Sequence, residues 1–321
     1  MNNSRNIVIA IPVYNDWLSL AILLKDIDDV LAGNGTKVHV IVIDDASTQS
    51  SDPIHSALNH SKCINRIDVI RIARNLGHQK AIALGLAYIH DSVPCDQIIV
   101  MDCDGEDQPQ DIIRLLEEYE RDPNFVIFAN RSKRSEGTVF RIFYALYRMG
   151  FRLLTGKRIS FGNFSLIPVS FLTGVVYLPE IWNHFAAGVM RSSLPWKTVA
   201  TCRGARYAGK SRMNFTSLVI HGLSAISVYV EVLTVRLMLL TFGLILLGIA
   251  AFGVLLYIKY FTPLAIPGWA TTVGIGLALI MFQAVLFLTL LSFVILNYRS
   301  NKLFIPAKDY KDYFVQLDRV L

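Results

Sequence analysis

Two stretches near the C-terminus limit this chain more than any other feature. Leu237 to Ile258 carry no charged side chain, and about 22 residues of helix rising ~1.5 Å each reach about 33 Å, enough to cross the core of a bilayer. The second stretch, Ala270 to Leu296, has Gln283 as its one strongly polar side chain. Pro263, Pro267, Gly268 and Trp269 lie between them and read as a tight interfacial turn, so the two stretches form a helical hairpin. Gln283 is assigned an interhelical hydrogen bond. The overall composition, 53% hydrophobic and 17% charged, excludes a disordered chain and an ordinary soluble enzyme. Arg236 precedes the first stretch and Arg299, Lys302, Lys308 and Lys311 follow the second, whereas the turn contributes Lys259. The positive-inside rule then places both chain ends in the cytosol.

Before the hairpin, β-branched runs alternate with helical patterning. Strands are expected at Ile7–Ile11, Val38–Ile43, Ile67–Ile72, Ile98–Met101 and Val126–Ala129, and helices at Trp17–Leu31, Lys80–Ile89 and Asp111–Glu120. Such alternation predicts a mostly parallel sheet covered by helices, with ligands gathered beyond the carboxyl ends of the strands. The cysteines, at 63, 95, 103 and 202, show neither zinc-ligand nor disulfide spacing. The run Ile7–Val13, broken by Pro12, is too short for a signal peptide, which keeps the first half on the cytosolic side.

The net charge of +6 invites a nucleic-acid reading, but in a chain with two apolar spans it fits basic flanks and contacts with anionic lipid or phosphate. No nucleic-acid partner is expected. Between Arg131 and Arg158, basic residues oppose the single acid Glu136 and are interleaved with Phe140, Phe143, Tyr144, Leu146, Tyr147, Phe151 and Leu154. This pattern suits a helix at about 138–156 lying on an anionic membrane surface, the alternative being a packed basic helix of the globular part. Phe215–Val232 is a second amphipathic segment.

The sharpest local feature is Asp102-Cys-Asp104-Gly-Glu106-Asp107-Gln-Pro109, which follows an apolar strand and precedes a Pro-initiated helix. Carboxylates at i and i+2 project together from a strand end and repel one another unless a cation intervenes, and hard oxygen ligands favour Mg²⁺ or Mn²⁺ over zinc. Asp26 and Asp28 share that spacing inside a predicted helix, where they read as a solvated face. Cys103 reads as a neutral spacer, and His78, His184 and His221 as satisfied structural groups. Asp44-Asp45-Ala-Ser47-Thr48 after the second strand and Pro12-Val-Tyr14-Asn15-Asp16 after the first bring further polar groups to the same rim.

With these motifs in order, the chain resembles the membrane-bound family 2 glycosyltransferases of GT-A fold. Within them it is similar to polyprenyl-phosphate glycosyltransferases such as dolichol-phosphate mannose synthases and bacterial undecaprenyl-phosphate glucosyltransferases. The resemblance covers nearly the whole chain, adding Arg74-Asn75-Leu-Gly77 with Ala81 and Gly85, Gly162-Asn163-Phe164, Arg206-Tyr-Ala-Gly209-Lys210-Ser211-Arg212 and the hairpin.

The resemblance implies an α/β GT-A domain with a Rossmann-like, mostly parallel sheet, interfacial helices and a two-helix transmembrane hairpin. It divides the chain into a catalytic domain at 1–212, a juxtamembrane helix at 213–235, the hairpin at 236–298 and a cytosolic tail at 299–321. The implied reaction is inverting transfer of one sugar from a nucleotide sugar to undecaprenyl or dolichyl phosphate, at the cytosolic face of a bacterial inner membrane. Pro12, Tyr14, Asn15, Asp44, Asp45 and Asp102 would hold the nucleotide, and Asp102, Asp104 and Glu106 a Mg²⁺ or Mn²⁺ ion. Arg131, Arg134 and Arg141 would take the lipid phosphate, with Arg206, Lys210 and Ser211 closing over the phosphates; Asp102, Asp104, Arg131 and Arg141 carry the catalytic assignment. Family members commonly have Gln at the position of Glu106 and often Gly-Asp-Phe in place of Gly162-Asn163-Phe164, so Asn163 cannot serve as a general base here. Similar bacterial enzymes form tetramers, which gives the tail Phe304–Leu321 an expected place between subunits. The alternatives are a processive polysaccharide synthase, whose Gln-x-x-Arg-Trp motif is absent, and a non-catalytic nucleotide-binding scaffold, which the intact Asp102 and Asp104 argue against.

Overall fold

The runs at 7–13, 38–43 and 98–100 become a parallel core because each is nearly continuous in apolar residues, as a strand covered on both faces must be, while the run at 64–72 interleaves Asn65, Arg66, Asp68 and Arg71. In the computed structural model, β1 (Asn6–Val13), β2 (Lys37–Asp44), β3 (Ile64–Ile72) and β4 (Gln97–Val100) pair in parallel in the order β4-β1-β2-β3. The structure describes residues 6–32, 36–57, 61–131, 149–152, 155–157, 161–208, 215–264, 266 and 268–321. Three crossovers are helical: α1 (Trp17–Leu31), the short α2 (Asp52–Ala57) and α3 (His78–Ser92). After β4, α4 (Pro109–Arg121) starts at the expected proline and leads into β5 (Val126–Arg131).

Two short strands unmarked in the sequence complete one side. β6 (Ser165–Pro168) lies antiparallel between β4 and β5, and β7 (Trp196–Thr201) runs parallel to β5 at the edge. Between them come α5 (Val169–Val176), a 3-10 turn at Pro179–Trp182 and α6 (Phe185–Arg191). The main core joins Leu20, Leu23, Leu24 and Ile27 of α1 to Ile9 and Ile11 of β1, Val40 of β2, Ile99 of β4 and Ile112 and Leu115 of α4.

Asp28 departs from its expected place on a solvated face. It is buried, and its carboxylate accepts the backbone N–H groups of Lys62, Cys63 and Ile64 and the Ser61 hydroxyl, at 2.8–3.0 Å. It thus ties α1 to the start of β3, a contact between distant segments that spacing within one helix cannot reveal. Burial pushes this carboxyl up, but the hydrogen bonds outweigh it and hold it well below the usual carboxylate range. A depressed folded-state value gives stability above the unfolded pKa of ~3.9, lost as pH falls through the folded value. Asp28→Asn is therefore expected to lower stability by about 2 kcal/mol at neutral pH. Thermal denaturation of both proteins from pH 7 to pH 3 should show the gap narrowing in acid; a gap independent of pH counts against the carboxylate's role.

The chain divides into two compact units. The first comprises residues 1–148, 158–228 and 303–321, and includes α7 (Phe215–Ser227). It also contains the tail: α10 (Pro306–Asp309) leads to β8 (Phe314–Arg319), which pairs antiparallel with β3 and makes the sheet eight-stranded, in the order β7-β5-β6-β4-β1-β2-β3-β8. Asp91 anchors the tail through the Tyr310 hydroxyl at 2.5 Å and Lys311 at 3.0 Å. The tail thus closes an edge of its own sheet.

The second unit, residues 149–157 and 229–302, is built around α8 (Val230–Phe261) and α9 (Trp269–Ser300). Each is 32 residues long and contains an 18-residue stretch of mean hydropathy 2.6, long and apolar enough to cross a membrane. Large apolar side chains such as Leu247 and Phe293 are more than 60% exposed along them. The helices extend past the expected spans, and Glu231 of α8 pairs with Arg299 of α9 at 3.3 Å. Of the expected interfacial segment at 138–156, residues 138–148 and 153–154 lie outside the described residues, and 149–152 are helical.

Candidate active site

Three strand ends meet at one rim of the first unit, each shaped by its own polar residues. After β1 the chain turns through Asn15, whose φ of 52° is left-handed. A short polar side chain tolerates this conformation, and here it is fixed from outside. The Asn15 N–H donates to Ser47 Oγ at 2.8 Å, while its Oδ1 accepts the N–H groups of Thr48 and Gln49 at 2.8 and 3.0 Å. Tyr14 beside it is 41% exposed, and Pro12 is a buried residue of β1.

The two acids after β2 face inward. Asp44 accepts the Ser47 N–H at 2.8 Å and pairs with Arg71 Nε at 3.0 Å. Asp45 accepts the N–H groups of Leu76 and Gly77 at 2.7 and 2.8 Å, which sets the loop before α3. Burial pushes the Asp45 carboxyl up against the pull of those two bonds. Asp45 shapes the rim, and Asp44 holds its turn together.

At the end of β4, Asp102 Oδ1 lies 3.0 Å from His78 Nε2. Asp104 accepts the Glu106 N–H at 2.9 Å on Oδ1, and its Oδ2 is 3.1 Å from Arg206 Nη1. Arg206 also reaches Asp16 Oδ2 at 3.4 Å. Glu106 turns away from Asp104 to a paired contact with Arg203 at 2.7 and 2.8 Å. Burial and then the Asp102 charge raise the Asp104 carboxyl, as two acids crowded at one strand end should. Burial pushes the Cys103 thiol well above its ordinary value, so it stays neutral.

The cations come from a strap that follows β7. The Gly204 N–H donates to the Glu106 carbonyl at 2.9 Å, the Tyr207 N–H to the Asp104 carbonyl at 3.0 Å, and the Tyr207 hydroxyl to Asp26 at 2.5 Å. A Cβ on Gly204 would stand 2.3 Å from the Gly105 carbonyl oxygen, and one on Gly105, where φ is 86°, 2.5 Å from the Tyr207 ring. Both glycines are therefore required by the close approach of strap and acidic loop.

Of the expected site residues, Tyr14, Asn15, Asp45, Asp102, Asp104 and Arg206 come together at this rim, joined by Asp16. The three acids expected to hold a metal are not gathered into one cage. Glu106 is held by Arg203, and among the described residues no group of three or more His, Cys, Asp or Glu side chains is arranged around a metal position. Asp26, read as solvated, supports the strap instead. Arg134, Arg141, Lys210 and Ser211 lie outside the described residues; Arg131 ends β5.

His78, expected to be structural, sits at the rim, and burial, which lowers its pKa, is outweighed by the charge of Asp102, leaving it raised. Nothing in the sequence marked it, because its partner is contributed by a strand end 24 positions away. His184 does act structurally, its Nδ1 accepting the Ala187 N–H at 3.3 Å at the start of α6. Arg203 was missed because only its contact with Glu106 distinguishes it from other surface arginines.

A mostly parallel sheet with an acidic loop at one central strand end, an antiparallel strand beside it and polar loops along the same rim is the GT-A fold. The model of Glycosyl transferase family 2 matches residues 8–177, and the chain belongs to that family. An uncharacterized glycosyltransferase of Bacillus subtilis strain 168, YkcC, is 27% identical over 318 residues, covering 96% of this chain and 92% of its own. The bactoprenol glucosyl transferase of Shigella phage SfX is 25% identical over 236 residues, 70% of this chain and 73% of its own. An undecaprenyl-phosphate 4-deoxy-4-formamido-L-arabinose transferase of Klebsiella pneumoniae strain 342 is 27% identical over 137 residues, 43% of this chain and 40% of its own. Among solved structures, glucosyl-3-phosphoglycerate synthase of Mycobacterium tuberculosis, crystallised with Mn²⁺, UDP-glucose and phosphoglyceric acid, shares the fold with a TM-score of 0.50. It is 13% identical, over 71% of this chain and 80% of its own.

Proposed function

We propose that this glycosyltransferase moves a single sugar from a nucleoside-diphosphate sugar to a polyprenyl phosphate, undecaprenyl or dolichyl, at the cytosolic face of a bacterial inner membrane. One observation carries the reading: an acid pair at the end of β4, faced by cations, occurs in a chain that also holds two membrane-length apolar helices. The relatives whose names specify bactoprenol and undecaprenyl-phosphate transferases support the lipid acceptor.

The donor is assigned to the rim between Tyr14 and Asp102. Tyr14 offers an exposed ring for the base, Asn15 and Asp45 set the loops around the ribose, and Pro12 and Asp44 support those turns. Asp102 and Asp104 fit a Mg²⁺ or Mn²⁺ ion in the manner of sites completed by substrate, in which one or two carboxylates are joined by phosphate oxygens and water. Burial, and after it the Asp102 charge, raises the Asp104 carboxyl, and Arg206 faces it at 3.1 Å. Glu106 is assigned to holding Arg203 rather than to the ion. When bound, the cation neutralises charge on the departing diphosphate.

Arg131, Arg134 and Arg141 are assigned to the acceptor phosphate, with Arg206, Lys210 and Ser211 on the diphosphate. An oxygen of the acceptor phosphate attacks the anomeric carbon, the bond from that carbon to the diphosphate oxygen breaks, and the nucleoside diphosphate leaves with the electron pair. A single displacement inverts the anomeric centre. A phosphate monoester with second pKa near ~6 is already largely dianionic at neutral pH, so no general base is needed, consistent with Asn at position 163. Alignment of two anions and stabilisation of the leaving group are what the protein supplies.

The test incubates the full-length protein with labelled nucleotide sugars and undecaprenyl or dolichyl phosphate, with and without EDTA. A chloroform-soluble labelled product of one sugar, lost with EDTA and restored by Mg²⁺ or Mn²⁺, is expected. No lipid product from any donor overturns the reading; polymer would instead identify a processive synthase, and activity persisting in EDTA would remove the metal assignment.

A further inference from the structure

The tail folds back on itself before it reaches the sheet. Pro306 opens α10, and the Asp309 carboxylate accepts the Ile305 N–H at 2.8 Å, so the 3-10 turn that follows, Tyr310–Tyr313, returns to Phe304. The Phe304 and Tyr313 rings meet edge to face with their centroids 5.4 Å apart. Trp182, the last residue of the turn Pro179–Trp182, closes the cluster, its ring centroid 3.8 Å from that of Phe304 and 5.5 Å from that of Tyr313. Rings in such arrangements attract one another beyond the area they bury. Lys80 Nζ adds a cation 5.0 Å from the Trp182 centroid.

This cluster brackets one loop. Residues 73–77 join β3 to α3, and Ala73, Arg74 and Asn75 are exposed. Before the loop, the Tyr313 carbonyl accepts the Ala73 N–H at 2.9 Å, which carries the β3–β8 pairing one residue past Ile72. After it, Lys80 stands in the first turn of α3 and rests on Trp182. From within, Asp45 holds the Leu76 and Gly77 N–H groups. One hold on the loop therefore comes from the end of β2, and two others converge on a single set of rings.

We propose that Phe304, Tyr313 and Trp182 are positioning residues for the sugar nucleotide: by clasping both ends of the 73–77 loop they fix from outside the wall that Asp45 fixes from inside. The first unit resumes at Leu303, just beyond the end of α9 at Ser300, so the chain that leaves the apolar helices becomes part of the donor site. This inference rests on the assignment of the Asp45 rim to the nucleotide.

The test uses the full-length protein in detergent and follows backbone hydrogen exchange in residues 73–77, with β2 as the internal reference. Phe304→Ala should speed exchange in the loop and leave β2 unchanged, and Phe304→Tyr, which keeps a ring in place, should restore the wild-type rate. Binding of Mg²⁺ with UDP, GDP or ADP is measured by calorimetry. The nucleoside diphosphate that binds the wild type should bind Phe304→Ala about three- to tenfold more weakly, the worth of one aromatic pair. KM for the nucleotide sugar should rise by the same factor, with kcat and KM for the lipid unchanged. Lys80→Gln removes the charge over Trp182 without touching the tail and should weaken binding about two- to fivefold; should Phe304→Ala fail to fold, unchanged loop exchange and donor affinity in Lys80→Gln overturn the clasp. Unchanged loop exchange in a folded Phe304→Ala, faster exchange spread through β3 and β8, or a loosened loop with wild-type nucleotide affinity each overturns the clasp alone. No binding of any nucleoside diphosphate to the wild type overturns the donor assignment, and the clasp's role with it.

Discussion

Asp104→Asn is expected to lower sugar transfer by about a hundred- to a thousandfold, as removal of one strong electrostatic contact to a developing charge does elsewhere, while the protein stays folded. The substitution is nearly isosteric, and Asn retains an oxygen to accept the Glu106 N–H, now at 2.9 Å. What it removes is the charge that faces Arg206 at 3.1 Å and that would bind a divalent ion. Burial and then the Asp102 charge raise the Asp104 carboxyl, so neutralising it relieves the cost of desolvation and the repulsion from Asp102, and the melting temperature should hold or rise. Loss of activity with retained stability separates a chemical role from a structural one. Glu106→Gln is the informative contrast. It breaks the pair with Arg203 at 2.7 Å and should cost only about tenfold, the scale of one charge-assisted hydrogen bond. Comparable losses for the two would return Glu106 to the ion's ligand set; activity of Asp104→Asn within threefold of the wild type would remove Asp104 from the chemistry.

Gly204→Ala carries the second large effect. The added carbon would meet the Gly105 carbonyl oxygen at 2.3 Å, and this neighbour is backbone that cannot rotate aside. The strap has to lift. Lifting it breaks the Gly204 and Tyr207 backbone bonds to the acidic loop and moves Arg203 and Arg206 away from Glu106 and Asp104 together. Transfer should fall by about a hundredfold, since charge stabilisation and alignment are lost at once. New tryptic cleavage after Arg203 or Arg206 should accompany it. Gly253→Ala, where the added carbon meets nothing within 4 Å, serves as the silent control. Wild-type activity and an uncut strap in Gly204→Ala would show that the strap plays no part in the rim.

The parallel core was legible in the sequence because most of its strand residues are buried and rich in β-branched side chains, so β1 to β5 fall where Ile7, Val38, Ile67, Ile98 and Val126 lead. The hairpin was legible for a similar reason, since length without charge has few other uses. β6, β7 and β8 were not, being short or half exposed and stabilised by partners far away in sequence. The acidic loop announced itself through its position after an apolar strand. The partners of its acids did not: that Glu106 meets Arg203 and that Asp102 meets His78 depends on chain folded over from elsewhere. Asp28 marks the limit most clearly, since its helical spacing suggested water and only the return of residues 61–64 makes it an acceptor of four donors.

The return of the last strand to β3 has a practical consequence. The two apolar helices leave the chain of the first unit after α7 and hand it back before α10, so they are an insertion and not a terminus. A truncation designed to discard everything beyond Phe215 as a membrane anchor would also strip the outermost strand, baring the backbone groups of β3 from Asp68 to Ile72. An unprotected edge of that kind invites pairing with other molecules. A soluble catalytic fragment would have to splice residues 303–321 back on through a designed linker.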